Sequence, residues 1–201
     1  MGDIFKTLAK PSIQILYKDR KSKFYGYAYP VSSEEEVKPI LEALRKKHPS
    51  ANHVCYAWRL GVDSFSYRAN DDGEPNNSAG MPIYGQIQAL DITNVLVAVV
   101  RFFGGVKLGV GGLIQAYRET ARLTLDASEI IQSVQHSKIT LHFEYPNMNK
   151  VMRVLRQHKV TILSQKMELN CRMVISVQKS KAQETGELFQ EIPGIKIEGP
   201  F

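Results

Sequence analysis

A glycine-rich stretch set between a strand-like run and a helix-like run constrains this chain more than any other feature. From Arg101 to Arg118 it places Gly104, Gly105, Gly109, Gly111 and Gly112 within nine residues. Upstream, residues 95–100 (Val-Leu-Val-Ala-Val-Val) are short, apolar and β-branched, the pattern of a buried strand. Downstream, Ile114, Tyr117, Ala121 and Leu125 recur at helical spacing. Strand, glycine loop and helix in this order present backbone N–H groups to an anion. The plainer alternative is that the glycines serve a tight turn and close packing.

Two nucleotide-binding fingerprints fail. A Walker loop needs Ser or Thr directly after its lysine to meet magnesium, and here Leu108 follows Lys107. A dinucleotide fingerprint needs a glycine three residues after Gly-x-Gly, and Gly109-Val110-Gly111 is followed there by Ile114. What survives is a looser anion site, with free amides near Gly111 and Gly112 at a helix start and Lys107 alongside.

Residues 52–60 and 65–70 read as a hairpin across residues 61–63. Along the first strand His53, Cys55, Ala57 and Arg59 share one face, and Val54, Tyr56, Trp58 and Leu60 share the other. The second set reads as the core face, so His53 and Arg59 point to the opposite side, where Arg68 joins them. In the polar loop that follows, Asp71, Asp72 and Glu74 lack the alternating spacing of a calcium loop. No metal is assigned, and these acids are expected to pair with Arg59, Arg68 or Arg101. Neither a Gly-x-Ser-x-Gly elbow nor a His-Glu-x-x-His pair occurs. His53 and Cys55 share a strand face, a slender case for a thiol nucleophile, and no catalytic residue is assigned. Tyr25, Tyr27 and Tyr29 alternate beside basic residues; packing is a commoner use of such a row than stacking on bases.

The remaining elements follow from periodicity. Residues 13–16 and 23–30 read as a strand pair. Ser33 with Glu36 spells a capping box before the apolar stripe Val37, Ile40, Leu41 and Leu44, and His48-Pro49 ends that helix. Pro39 conflicts with an early start, so a kink or a later start is expected. Residues 81–90 form a short helix with Pro82 near its first turn, 95–103 a strand, and 113–126 a helix. The pattern then restarts: strand 138–144, a helical stripe of Met148, Val151, Met152 and Leu155, strands 160–167 and 171–177, helix 182–190, strand 195–197. This β-α-β-β-α-β order is the ferredoxin-like plan. The reading is two α+β domains, residues 1–135 and 136–201.

The formal net charge is +6, and its distribution says more than its size. Residues 1–135 carry 16 Lys and Arg against 14 Asp and Glu; residues 136–201 carry 10 against 6, with no Asp. The smaller part is the more basic, a weak pointer to nucleic acid or another polyanion. Cys55 and Cys171 match no metal spacing and read as reduced thiols of a cytoplasmic protein. No run approaches the roughly 20 apolar residues of a membrane helix, and the first residues lack a secretory core.

Three segments together resemble one family: residues 53–59 (His-Val-Cys-Tyr-Ala-Trp-Arg), residues 71–75 (Asp-Asp-Gly-Glu-Pro) with 79–82 (Ala-Gly-Met-Pro), and residues 99–109 running into Gly111-Gly112 and Tyr117-Arg118. The chain resembles the IMPACT/YigZ family over about residues 15–130, and its C-terminal part resembles the small ferredoxin-like domain of bacterial two-domain members. That domain is similar to one in translation elongation factors. The resemblance implies a first domain of the ribosomal-protein-S5-domain-2-like fold, which also occurs in translation factors and small-molecule kinases. Eukaryotic relatives bind an activator of the amino-acid-starvation kinase and so restrain the shutdown of translation initiation. They carry a different N-terminal domain, and that partner is not carried over. The chain also departs from the usual pattern, with Asn70 in place of Ser before Asp-Asp and Asn77-Ser78 in place of Gly-Thr.

These readings combine into a cytoplasmic, non-catalytic, cofactor-free binding protein linked to translation, whose target is RNA, the ribosome or a translation-associated protein. His53, Arg59, Arg68, Arg101, Gly104, Gly105, Lys107, Gly111, Gly112 and Arg118 are the candidate anion- and nucleic-acid-binding residues. Asp71, Asp72 and Glu74 are expected to orient the arginines of the cleft. Two alternatives stand beside this reading. One is an enzyme acting on a phosphorylated or nucleotide-like small molecule, with Asp71 or Asp72 as base or magnesium ligand. The other is a pure protein-interaction module.

Overall fold

The computed structural model describes residues 3–199 of a mixed α/β chain. It divides into two compact units, one spanning Phe5–Ser133 and the other comprising the described residues from Val134 onward together with Asp3 and Ile4.

In chain order the first unit contains β1 (Ile4–Leu8), β2 (Ile15–Asp19), β3 (Ser22–Pro30), α1 (Val37–Lys47), β4 (His53–Leu60), β5 (Ser66–Asn70), α2 (Gly80–Ala89), β6 (Val95–Phe102), α3 (Gly109–Asp126) and β7 (Ile130–Val134), the outermost residues of β1 and β7, Ile4 and Val134, lying at the unit boundary. Its main sheet has the order β2-β3-β6-β4-β5, with antiparallel neighbours throughout. The most apolar strand, β6, lies at the centre, and Val95 to Arg101 are all buried. A separate two-stranded ribbon pairs β1 with β7. Neither strand is expected from the sequence; in β7 the adjacent Ile130 and Ile131 are both exposed and give no alternation to read.

The sheet is covered on both faces, and here the structure corrects an expectation. Val54 packs with Tyr27, Leu44 and Val100 on the α1 side. Cys55 and Ala57, expected to face away from the core, pack with Ile83, Ile87, Val97, Val99 and Tyr117 on the α2 and α3 side. That second side holds the larger cluster, where each fully buried Ile contributes about 1.5–3 kcal/mol. An alternating pattern picks out the more apolar face of a strand; it does not tell whether small residues opposite are covered too. The close seating of α3 needs a glycine: a Cβ on Gly26 would fall 1.9 Å from Thr124 Oγ1.

Local chemistry sets the ends of α1. Ser33 makes no side-chain cap; Glu36 instead accepts from Ser32 N–H at 3.0 Å and Ser32 Oγ–H at 2.5 Å. A short 3-10 turn over Glu34–Glu36 delays the helix to Val37. Pro39 therefore falls within the first turn, where its missing N–H would have had no partner. Tyr25 stacks on His48 and Tyr27 is buried in the α1 cluster, so the tyrosine row is core.

The second unit contains β8 (His136–Glu144), α4 (Met148–Gln157), β9 (Thr161–Lys166), β10 (Asn170–Gln178), α5 (Ala182–Gln190) and β11 (Ile195–Glu198). The four strands form a sheet of order β11-β8-β10-β9. Ile139, Leu141, Phe143, Met173 and Ile175 alternate along β8 and β10 to build its core with Val151, Leu155 and Phe189 of the helices. The opposite face of this sheet is polar. No helix among the described residues is long and apolar enough to cross a membrane.

Candidate functional site

Helix α3 begins at Gly109, four residues before the expected position, so Gly109, Gly111 and Gly112 lie in the helix and not before it. No side chain caps its N-terminus at Leu108. The first amides of an α-helix lack intrahelical partners, and the summed peptide dipoles place about half a positive charge there. Gly105 and Gly109 have φ of 87° and 73°, left-handed values that favour glycine. Gly104 has a packing reason, since a Cβ there would sit 2.1 Å from the Lys21 carbonyl carbon. Lys21 itself, with Arg20, makes the left-handed two-residue turn between β2 and β3. A Cβ on Gly112 would fall 3.0 Å from Leu108 Cβ, whereas a Cβ on Gly111 meets nothing within 4 Å.

The α3 N-terminus opens on a cavity of about 420 Å³ lined by His53, Glu74, Pro75, Arg101, Phe103, Lys107 and residues 108–110, with Asn52 and Leu113. At its floor lies a buried ion pair. Glu74 Oε1 accepts from Arg101 Nη1 at 2.6 Å and from the Tyr117 hydroxyl at 2.7 Å. The two charged side chains, Arg101 and Glu74, are 7% and 4% exposed. Arg101 Nε is buried and has no hydrogen-bond partner. Lys107 at the rim is exposed and makes no ion pair among the described residues.

His53 is fixed by the polar loop. Its Nδ1 lies 2.8 Å from the Asp72 carbonyl oxygen, which only accepts, so Nδ1 carries the proton. Nε2 is then left facing the cavity, 3.9 Å from Glu74 Oε1. Cys55 lies beneath, with Sγ 3.0 Å from the Asp71 carbonyl and 3.3 Å from the Tyr117 hydroxyl. Burial pushes its thiol far above the ordinary cysteine range, and the same cause raises Tyr117. A thiol so held is a packed core group and not a nucleophile.

The loop's carboxylates have separate tasks. Asp71 accepts from the amides of Asn77, Ala79 and Gly80 at 2.8–2.9 Å, tying the loop to the start of α2. Asp72 accepts from Val54 N–H at 2.6 Å and pairs with Arg45 Nη2 at 2.6 Å. It takes the Val54 amide because β5 ends at Asn70, opposite Tyr56. Asn70 Oδ1 accepts from Asp72 N–H, and Asn77 adopts φ 61°, a left-handed value asparagine tolerates. At the two departures from the family pattern this chain thus places a loop-closing acceptor and a left-handed residue. Among the described residues no group of three or more His, Cys, Asp or Glu is set to hold a metal ion.

His53, Glu74, Arg101, Lys107 and the α3 N-terminus share one cavity, and the other expected cations do not. Arg59 is buried elsewhere, paired with Asp91 at 3.1 Å and lying over the Phe65 ring at 3.6 Å. Arg68 is exposed and pairs with Glu34 at 3.3 Å. Arg118 is exposed on α3 and does not line the cavity. The expectation that Asp71 and Asp72 orient Arg59 and Arg68 therefore fails; only Glu74, on Arg101, acts so. Sequence reasoning missed Arg45, the partner of Asp72, whose only signal is its place at the polar end of an amphipathic helix.

Comparison with known proteins gives concordant matches. The family model of the Impact N-terminal domain matches residues 20–125. A Thermus thermophilus protein named as an IMPACT family member in the pol 5' region is 39% identical over 137 residues, 68% of this chain and 73% of its own. A Haemophilus influenzae IMPACT family member is 27% identical over 189 residues, 92% of each chain. A crystal structure described as that of a hypothetical protein aligns over 100% of this chain and 99% of its own, with 25% identity and a TM-score of 0.79.

Proposed function

Because this chain belongs to the IMPACT family, we propose that it is a cytoplasmic, non-catalytic, translation-linked regulator that binds RNA through the cavity at the N-terminus of α3. The translation link comes with the family resemblance. The choice of RNA rests on one observation: an uncapped helix N-terminus, Lys107, which makes no ion pair among the described residues, and the buried Arg101, whose Nε has no partner among them, all line one cavity. Such an arrangement suits a phosphate group. The same reading takes the first unit as ribosomal-protein-S5-domain-2-like and the second as ferredoxin-like. The five-stranded sheet with helices on both faces and the β-α-β-β-α-β order support it.

The test is cross-linking of the native protein in cells, with bound RNA and protein both sequenced. Lys107→Ala is compared with Arg59→Ala, which alters a guanidinium outside the cavity. Ribosomal or transfer RNA enriched by wild type and Arg59→Ala but absent with Lys107→Ala is the expected result. Recovery of a protein partner alone favours an interaction module, and recovery of neither removes the proposal.

A further inference from the structure

The geometry points to a phosphorylated nucleoside as the unit this cavity takes, with its phosphate at the N-terminus of α3 and its base against Phe103 and Val110. This inference deepens the reading above and rests on it.

The phosphate end follows from donors without acceptors. The amides at the start of α3 lack intrahelical partners and no side chain caps them. The second, independent sign is Arg101. Its side chain is only 7% exposed, it lines the cavity, and its Nε has no partner. Burying an N–H without an acceptor is costly, and among the described residues none supplies an acceptor to this Nε, so an oxygen-bearing ligand at this wall offers one. A phosphate monoester brings three strong acceptor oxygens and close to two negative charges. Lys107 and the helix dipole offset that charge, while Glu74 already neutralises Arg101.

The nucleoside end follows from the remaining wall. Phe103 and Val110 are 46% and 52% exposed although both line the cavity, so its rim offers an aromatic and an aliphatic surface side by side. A free phosphate ion or a sugar phosphate leaves that surface bare, whereas a flat base covers it; stacking on an aromatic ring is a general way of holding bases. Asn52 commits Oδ1 to the Phe103 N–H at 2.8 Å, which leaves its amide N–H groups to donate to a base edge. Glu74 engages Arg101 and Tyr117 through Oε1, which leaves Oε2 for a hydroxyl donor, the role acidic residues take on ribose. At about 420 Å³ the cavity holds one such unit and not a stack of them.

One chemistry here has two sources, a free nucleotide or the phosphorylated end of an RNA. The experiment titrates the full-length, isotope-labelled protein and follows the amide resonances of Gly109, Val110 and Gly111. The probes are inorganic phosphate, the four nucleoside 5'-monophosphates, the unphosphorylated nucleosides, and a short single-stranded RNA with and without a 5'-phosphate. Nucleotides are expected to move these resonances at concentrations at least tenfold below inorganic phosphate, and nucleosides not to move them. Lys107→Ala should weaken the nucleotides tenfold or more. Phe103→Ala should remove the preference over inorganic phosphate while leaving phosphate binding unchanged, with the rest of the spectrum reporting the fold. Tighter binding of the phosphorylated RNA than of any mononucleotide assigns the site to an RNA end; the reverse assigns it to a free nucleotide. Equal response to nucleotides and inorganic phosphate, or none to either, overturns the inference. If RNA binds while these resonances stay fixed, this inference falls and RNA binding stands only at a surface other than this cavity. If nucleotides bind and RNA does not, this inference stands and the RNA reading falls.

Discussion

Glu74 ties the site to the fold one residue at a time. Its carboxylate joins Arg101 of β6 to Tyr117 of α3, all three nearly or fully buried. Removing one partner of such a pair leaves the other charge buried without compensation. Glu74→Ala should therefore lose about 3–5 kcal/mol in urea denaturation, and Glu74→Ala with Arg101→Met should recover most of it. A loss under about 1 kcal/mol, the range of exposed pairs, would mean that the pair is solvated in solution. The glycines divide in the same physical way. A methyl on Gly104 strikes the backbone of Lys21, so Gly104→Ala should cost about 1–3 kcal/mol. Gly111 is helical, and a Cβ there meets open space. Gly111→Ala should stabilise the protein by up to about 1 kcal/mol, and thermal melts of the two variants should move in opposite directions. A fall in melting temperature for Gly111→Ala would show that this backbone does more than turn.

At the scale of elements, α3 and the end of α1 each yield a prediction of definite sign. Val110 sits in the first turn of α3 and is half exposed, so Val110→Asp loses little burial and places a carboxylate where the helix dipole favours it. Stability should hold or rise by about 0.3–1 kcal/mol while phosphate and RNA binding disappear; unchanged binding would remove the α3 N-terminus from the site. His48 closes α1, stacked on Tyr25, with Nε2 donating at 2.6 Å to the Tyr27 hydroxyl, which donates in turn to Gln14. Burial pushes Tyr27 up to about 12 and, with Lys47, lowers His48. A lowered imidazole means the unfolded chain binds the proton more readily. Its contribution is thus fully present above an unfolded value near 6.5 and is lost as pH falls through the folded one. Urea midpoints at pH 7.5 and 5 should differ less in His48→Gln than in wild type. These cases also show what was legible in the sequence. The βαββαβ order and the strand–glycine–helix unit were legible because periodicity marks elements whose two sides differ. The start of α3 was not, since glycines at 109, 111 and 112 mask a helical turn whose amides need no side chain. Nor was the split of Arg59 from Arg101, because both carry the same charge at a strand end and only the paired partners, Asp91 and Glu74, separate them.

For the molecule as a whole, the RNA reading asks what the more basic second unit contributes, and the strand register gives a specific answer. On the polar face of its sheet, Lys196 of β11, His142 of β8, Arg172 of β10 and Lys166 of β9 occupy directly opposed positions. Adjacent strands lie about 4.8 Å apart, so four cationic or titratable side chains cross the sheet in one row. Two of them have acidic neighbours: Lys166 lies 3.0 Å from Glu168, and His142 3.4 Å from Glu198. Arg172 and Lys196 have none among the described residues, and both are exposed. If this face contributes to RNA binding, those two carry the interaction, since a cation already paired releases fewer counterions. Arg172→Ala with Lys196→Ala should leave the melting temperature unchanged, because neither side chain is part of the core. It should also flatten the dependence of log affinity on log salt by about 0.7 for each single-stranded phosphate that is no longer neutralised, roughly 1.4 in all. Lys166→Ala should change that slope less, because its charge is already shared with Glu168. An unaltered slope in the double variant would make the row a solvated surface and leave RNA binding to the first unit alone, where Lys107→Ala would then be the single-lysine variant that flattens it.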